Sequence, residues 1–347
     1  MGTNKFLSLQ EYNYNLPKQL IAQSPMEPRD HSKLLVLDIN KGLLEDRRFF
    51  DLPYYLTAGD VLVFNDTRVM PARIFGTTEN GATIELLLLR KVHKDMWRAL
   101  VKPGAKMRTG DRFSIGNNEL MCKVKSVEHD GTRIVSLSKK LNLMDEGVLP
   151  LPPYITQELN DPERYQTIYS SVAKSVAAPT AGLHFTEQLL ADLKKIGVNI
   201  IFVTLHIGWG TFRPIVSDNI YDHAMESEDF QLSKVAAKTI NEAKNDGRRV
   251  ISVGTTGVRL LESISSSCDP QNVGTIAHGL GSTELFITPG HRFKIVDGLV
   301  SNFHLPRSTL LLLVSAFVGK KNLFRAYEHA IENKYRFYSF GDAMLML

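Results

Sequence analysis

No apolar run in this sequence is long enough to cross a bilayer. The greasiest stretch, LLLLVSAFV at 310–318, has nine residues, whereas a spanning helix takes about 20. The opening MGTNKFLSLQEYNYNLPKQL lacks the basic-then-apolar pattern of a secretory signal. Phe6 stands where a myristoylation motif takes Ser or Thr. The expectation is a soluble, cytoplasmic protein with no membrane association. Cysteine is scarce: Cys122 and Cys268 lie far apart and offer no metal-ligand spacing, which excludes a disulfide framework or a zinc module. Both read as free thiols in a reducing compartment, and no metal site is expected. Internal repeats and low-complexity tracts are missing, and no Gly-rich loop ends in the Gly-Lys-Ser/Thr of a P-loop.

What is present is ordinary for a folded chain. Hydrophobic residues make up 43% and charged residues 22%, enough for a core without staples. The 347 residues suggest about two domains. A formal charge of +4 permits an anionic partner such as RNA without requiring one.

The texture changes along the chain. Runs at 33–38 and 59–64 are short, apolar and bounded by turn residues, as buried strands are. From 72 to 151 the pattern is strand-turn-strand throughout, and His129-Asp130-Gly131 reads as a hairpin turn. Many short strands at this spacing indicate a small antiparallel barrel. Beyond the Pro-rich exit at 150–153, helical periodicity alternates with strands. Helices are expected over 186–196 and 234–245, with strands over 198–203 and 249–253. That rhythm predicts a mostly parallel sheet. The fold expected is α/β: a discontinuous α/β domain, 1–71 with 152–347, carrying an inserted antiparallel β-barrel domain at 72–151.

Dense polar clusters recur at the ends of the expected strands, where ligands bind in open α/β sheets. FNDTRV holds Asp66 and Arg68, although Asn65 and Asp66 alone suit a tight Asx turn. APTAGLHFTE holds His184, and its Thr186 can simply cap the next helix. LHIGWGTFRP sets Trp209 between glycines, beside His206 and Arg213. DHAMESE puts His223 near carboxylates, including Glu228. GTTGVR opens a helix with Thr255, Thr256 and Arg259, a site for an anion or equally a hydroxyl cap. SNFHLPRST combines Asn302, His304, Arg307, Ser308 and Thr309 before the apolar run, with Pro306 placed for a helix entrance. YRFYSFGD adds Arg336, Tyr338 and Asp342. Each cluster has a bland reading. Their repetition within one domain favours an enzyme site, since caps and turns do not need His, Trp, Arg and Asp together so often.

FNDTRVMPARIFG, APTAGLHFT, LHIGWGTFRPI, VGTTGVRLLES, TPGHRFKIVDGLVSNFHLPRSTLLLLVSAF and YRFYSFGDAML together resemble the S-adenosylmethionine:tRNA ribosyltransferase-isomerase family of queuosine biosynthesis, as does NLPKQLIAQSPMEPRDHSKLLVLD near the N-terminus. The resemblance runs over essentially the whole chain. One departure is Glu226, where the family pattern His-x-Met-His-x-Glu has its second histidine. The resemblance implies an α/β domain with an inserted six-stranded barrel. It also implies transfer and isomerisation of the ribosyl group of S-adenosylmethionine onto 7-aminomethyl-7-deazaguanine at the tRNA wobble position. The products would be epoxyqueuosine-tRNA, adenine and methionine. S-adenosylmethionine is then a consumed co-substrate, and no cofactor is implied.

Set beside that chemistry, His206, His184 and Glu228 are candidate bases for the ribose 5′ carbon. His304 and Asp342 are candidate acids toward adenine. Trp209 offers a face to the sulfonium, and Asp66 a partner for the incoming amine or the ribose hydroxyls. Arg213, Arg259 and Arg307 can clamp a carboxylate or phosphate. Arg68, Thr186, His223, Thr255, Thr256, Asn302, Ser308, Thr309, Arg336 and Tyr338 complete the candidate substrate contacts. In the barrel, Lys102, Lys106, Arg108, Arg112 and Lys123 are candidates for tRNA phosphates, although charges on a barrel are commonly just its solvated face. A monomer is expected. A non-catalytic RNA-binding protein and a methyltransferase are the alternatives; the latter would make S-adenosylhomocysteine rather than adenine and methionine.

Overall fold

The computed structural model describes residues 6–116, 120–212, 215–267 and 275–347. The chain divides into two compact units. One comprises Met1–Arg68, Pro153–Val172 and Ala178–Leu347; the other comprises Val69–Pro152 with Ala173–Ala177.

In the first unit, nine strands among the described residues form one sheet. Their order is Gly279–Thr283, Glu228–Leu232, Asn199–Leu205, Val61–Asn65, Val250–Val253, Gly298–Asn302, Ala343–Met346, Lys33–Asp38 and Leu43–Arg48. Val61–Asn65 is buried at every position, as a strand covered on both faces must be. Asn199–Leu205 and Val250–Val253 run parallel to it, and Gly298–Asn302 runs parallel to Val250–Val253. Ala343–Met346 then returns antiparallel to Gly298–Asn302, with Lys33–Asp38 parallel to it. The sheet is therefore mixed, not mostly parallel. Periodicity identifies strands and helices, but not from which end each connection re-enters the sheet.

This arrangement positions the chemistry. The carboxyl ends of four neighbouring strands, at Leu205, Asn65, Val253 and Asn302, share one edge of the sheet. The amino ends of Ala343–Met346 and Lys33–Asp38 join them there, because Asn302 and Leu34 both register with Ala343.

Helices cover the faces. Ser233 caps Lys234–Asn245 by accepting the Ala236 N–H at 3.1 Å. Thr255–Ser267 packs its first turn close to the sheet: a Cβ on Gly257 would fall well under 3.0 Å from Ser252 Oγ, so this position takes only glycine without displacing its neighbour. The apolar run forms the helix Thr309–Val318 with seven of its ten residues buried, as befits a helix apolar nearly all round. Its cap is Ser308, so Pro306 lies ahead of the helix and not at its first position. Under the sheet, Phe185 packs edge-on against both Phe64 and Phe49, with ring centroids 4.8 and 5.0 Å apart. Burial of each such ring stabilises the unit by about 1.5–3 kcal/mol.

In the second unit six strands close into an antiparallel barrel, in the order Arg133–Leu137, Met96–Lys102, Thr83–His93, Arg73–Thr77, Arg112–Ile115 and Leu120–Val127. Ile84, Leu86 and Leu88 alternate inward to fill it with Phe113, Val124 and Val135. Cys122 lies in this core as a free thiol, pushed up to about 12 by burial; Cys268 is outside the described residues. Among the described residues no helix is long and apolar enough to cross a membrane, and no cluster of three or more His, Cys, Asp or Glu side chains is arranged to hold a metal ion.

Candidate active site

The central strand ends in Asn65, whose side chain is fully buried and fully used. Its Nδ2 donates to Leu205 O at 2.9 Å and to Thr256 Oγ1 at 3.2 Å. Its Oδ1 accepts the Leu205 N–H at 3.0 Å and the Thr67 N–H at 3.2 Å. One amide thus ties together three strand ends and the start of the helix Thr255–Ser267. The Asx turn expected here exists, and it serves the site by aiming the next two residues. Asp66 accepts hydrogen bonds from Thr204 Oγ1 at 2.7 Å and Ser171 Oγ at 3.1 Å. Thr67 Oγ1 meets His206 Nδ1 at 2.9 Å and lies 3.4 Å from Val172 O. Asp66 and the half-buried His206 therefore project from adjacent strand ends.

Beside them, Glu228 and Arg259 form an ion pair that is nearly inaccessible to solvent. The other Glu228 oxygen accepts the Gly208 N–H at 2.9 Å, and Arg259 Nε donates to Leu285 O at 3.1 Å. Arg259 Nη2 is buried and has no hydrogen-bond partner among the described residues. The Gly-Trp-Gly loop lies against this pair, with Trp209 half-buried in a helical turn, Trp209–Phe212. A Cβ on Gly210 would meet Glu226 Cδ at 3.0 Å and Oε2 at 3.1 Å, so glycine lets the Glu226 carboxylate reach the backbone.

A second group stands two strands along the same edge, roughly 10 Å from Asn65 at the usual strand spacing. His184 Nδ1 meets Ser32 Oγ at 2.7 Å, and its Nε2 meets Asn302 Nδ2 at 3.2 Å. Asn302 Nδ2 also donates to Tyr338 O at 3.1 Å, which fixes it as the nitrogen. His184 Nε2 is then an acceptor, and Nδ1–H donates to Ser32. The ring stacks on Phe49 at 4.8 Å. Burial, with Arg336 and Arg29 nearby, lowers its pKa to about 3. His304 contacts Ser301 Oγ through Nε2 at 2.6 Å and is likewise lowered to about 3 by burial. Asp342 accepts from the N–H groups of Lys33 at 3.0 Å and Arg336 at 2.8 Å, with Arg336 Nη2 at 3.4 Å.

The structure draws Asp66, His206, Glu228, Thr256 and Arg259 into one group, with Thr255 buried at the adjacent helix start. It draws His184, Asn302, Asp342, Arg336 and Tyr338 into the other. Several candidates have structural occupations instead. Thr186 caps Glu187–Lys195 and donates to Asp30. Ser308 caps the apolar helix, and Thr309 is buried within it. Arg307 is exposed in a left-handed conformation, its N–H on Tyr12 O. Arg68 pairs with Glu163 and Ser170 Oγ, and His223 packs edge-on against Phe286. Arg213 lies outside the described residues. On the barrel, Lys102, Arg108 and Arg112 are exposed. Arg112 sits directly across from Lys123 on neighbouring strands, and Lys102 across from Glu85. The side chain of Lys106 is outside the described set. Asn65 is expected from sequence only as a turn residue, and Thr67 and Ser32 carry no functional signal of their own although both lie in segments that bear the family resemblance.

The family model described as queuosine biosynthesis protein matches residues 9–346. Proteins named S-adenosylmethionine:tRNA ribosyltransferase-isomerase from two strain designations of Clostridium kluyveri are each 48% identical to this chain over 345 residues, which cover 98% of this chain and 100% of theirs. The crystal structure of S-adenosylmethionine tRNA ribosyltransferase from Thermotoga maritima, at 2.00 Å resolution, is similar with a TM-score of 0.57 and 36% identity, covering 97% of this chain and 100% of that one.

Proposed function

This chain belongs to the queuosine biosynthesis protein family, and from that premise we propose how its residues divide the work of an S-adenosylmethionine:tRNA ribosyltransferase-isomerase. The observation that carries the activity is identity at nearly half of all positions, over almost the whole chain, with proteins of that name. The acceptor is the aminomethyl group of 7-aminomethyl-7-deazaguanine at the tRNA wobble position. The products are epoxyqueuosine-tRNA, adenine and methionine.

His206 is the base. The sulfonium of S-adenosylmethionine acidifies the protons on the ribose 5′ carbon, and a positioned imidazole can take one. When the Thr67 hydroxyl hydrogen points to Val172 O, its oxygen accepts His206 Nδ1–H, which makes Nε2 the basic nitrogen. His184 and His304 are held neutral by burial, so neither offers an imidazolium to departing adenine. The imidazolium that His206 becomes does, and it can return the proton it took. Glu228 has both oxygens engaged and acts by holding Arg259 and the Gly208 backbone in place. Arg259 Nη2, buried and without a hydrogen-bond partner among the described residues, receives the methionine carboxylate as a charge-assisted bond. Trp209 faces the sulfonium, and Asp66 receives the incoming amine.

The test is adenine release from S-adenosylmethionine, with and without tRNA bearing aminomethyl-deazaguanine. Release should depend on the modified tRNA. His206→Gln should slow it by roughly 10²–10⁴-fold while tRNA binding persists. Unchanged turnover in that variant removes His206 as the base, and no release from wild type with tRNA still bound points to a non-catalytic binding protein.

A further inference from the structure

Three arginines from three separate stretches of chain line one small cavity of about 20 Å³, together with His184 and the backbone near Gly341. Arg29 donates to the carbonyls of Leu183 and Glu163, each at 3.1 Å. Arg164 donates to Met26 O at 2.6 Å and pairs with Glu27 at 3.0 Å. Arg336 donates to Ser24 O at 3.3 Å and lies 3.4 Å from Asp342, while its Nε is buried with no hydrogen-bond partner among the described residues.

The three guanidiniums have few close, buried acidic partners among the described residues. Asp342 offsets Arg336. The Glu27 carboxylate is 76% exposed, so its pairing with Arg164 is weak. Among the described residues Arg29 reaches only backbone carbonyls, and Arg164 acts on it more strongly than any one of the nearby carboxylates Glu27, Asp161 and Glu163. Like charges gathered in a partly dry place cost free energy unless an anion joins them. His184, which faces them, is neutral. A cavity of this size admits about one oxygen atom, hence the tip of an oxyanion and not a nucleoside.

We propose that Arg29, Arg164 and Arg336 form a binding site for one phosphate of the tRNA backbone. The inference rests on the ribosyl-transfer reading, in which Arg259 already receives the carboxylate of S-adenosylmethionine. Arg259 pairs with the strand Glu228–Leu232, four strand spacings from Gly298–Asn302, roughly 19 Å. The two sites therefore take two anions. Forked guanidiniums suit a phosphodiester oxygen, and the carboxylate already has its own partner in Arg259.

The experiment is tRNA binding without S-adenosylmethionine, by fluorescence anisotropy over a range of salt concentrations. Subjects are wild type, Arg29→Gln, Arg164→Gln and Arg29→Lys. Each glutamine variant should weaken binding roughly tenfold and flatten the slope of log K against log salt by about 0.7–0.9, while the Michaelis constant for S-adenosylmethionine stays put. Arg29→Lys should keep the slope, because it keeps the charge. A loss of folding alone lowers the active fraction and leaves the slope unmoved. An unchanged slope in both glutamine variants overturns the proposal. So does a raised Michaelis constant for S-adenosylmethionine with tRNA binding intact, which would give the site to the carboxylate. Failure of the ribosyl-transfer reading itself shows separately, as wild type that binds tRNA and releases no adenine.

Discussion

Replacing His184 with glutamine should destabilise the α/β unit at neutral pH and, at the same time, make it less sensitive to acid than wild type. The ring is buried between Phe49, Ser32 and Asn302, and the charged groups acting on it are Arg336 and Arg29. Burial and the two guanidiniums disfavour an imidazolium. Its pKa falls from 6.5 to about 3, so the unfolded chain binds more protons than the folded one between those values. Stability from this group is complete above pH 6.5 and is lost as pH falls toward 3. At pH 5 the unfolded histidine lies 1.5 units below its own pKa, which at about 1.4 kcal/mol per unit amounts to about 2 kcal/mol.

Glutamine does not titrate, but its amide oxygen can still accept from Asn302. At pH 7 the variant should lose about 1–3 kcal/mol for the forfeited stacking and the Ser32 bond. At pH 5 the gap to wild type should shrink by about 2 kcal/mol. His304 titrates in both proteins, so its contribution cancels in the difference. Urea unfolding at the two pH values measures this, in a Trp97→Phe background so that Trp209 alone reports on its own unit. A gap of the same size at pH 7 and pH 5 would refute the buried, neutral imidazole.

Two pairs of substitutions test how the site is held. Gly257→Ala should push the helix Thr255–Ser267 off the sheet and cost about 1–3 kcal/mol; adding Ser252→Ala removes the offending hydroxyl and leaves a Cβ 3.7 Å away, so the double variant should recover most of the stability, and failure to recover would mean the close approach is not what demands glycine. Glu228→Gln leaves the Arg259 charge buried without its partner, which should cost about 3–5 kcal/mol. The double variant with Arg259→Gln should be less destabilised than Glu228→Gln alone in the same unfolding assay, and equal losses would mean the pair is not coupled.

Much of the fold was legible because it follows local periodicity. The barrel declares itself through alternating strands joined by turns such as His129-Asp130-Gly131, which the pairing of Arg133 with Val127 closes. The helix over 234–245 and the strand over 33–38 fall where the pattern sets them. Strand direction was not legible: Ala343–Met346 runs opposite to Gly298–Asn302 because of where the chain re-enters the sheet after its last helix. The site divides the same way. Loops at strand ends pointed to Asp66, His206 and Asn302 as residues of interest. The contacts among Ser32, His184 and Asn302 bridge 152 and 118 positions, and no local pattern encodes them. Arg29 and Arg164 stand 135 positions apart with no local pattern linking them, so only the folded chain brings them to one cavity with Arg336.

The Glu226 departure fits the geometry of the Gly-Trp-Gly loop. Glu226 and Glu228 are two positions apart, and both approach that loop, Glu226 at Gly210 and Glu228 at Gly208. Glu228 is locked to Arg259, whereas Glu226 meets the loop where a missing Cβ leaves room for a polar group against the backbone. A histidine there would bring a ring nitrogen to the same place, and glutamate brings a carboxylate oxygen; both accept hydrogen bonds. A role that needs only an acceptor beside Trp209 survives the exchange. A role that needs a neutral proton donor does not, because an ionised carboxylate has no proton to give. The proposed base, His206, lies on a different strand end and is held by Thr67, so the departure at 226 leaves it and its support intact.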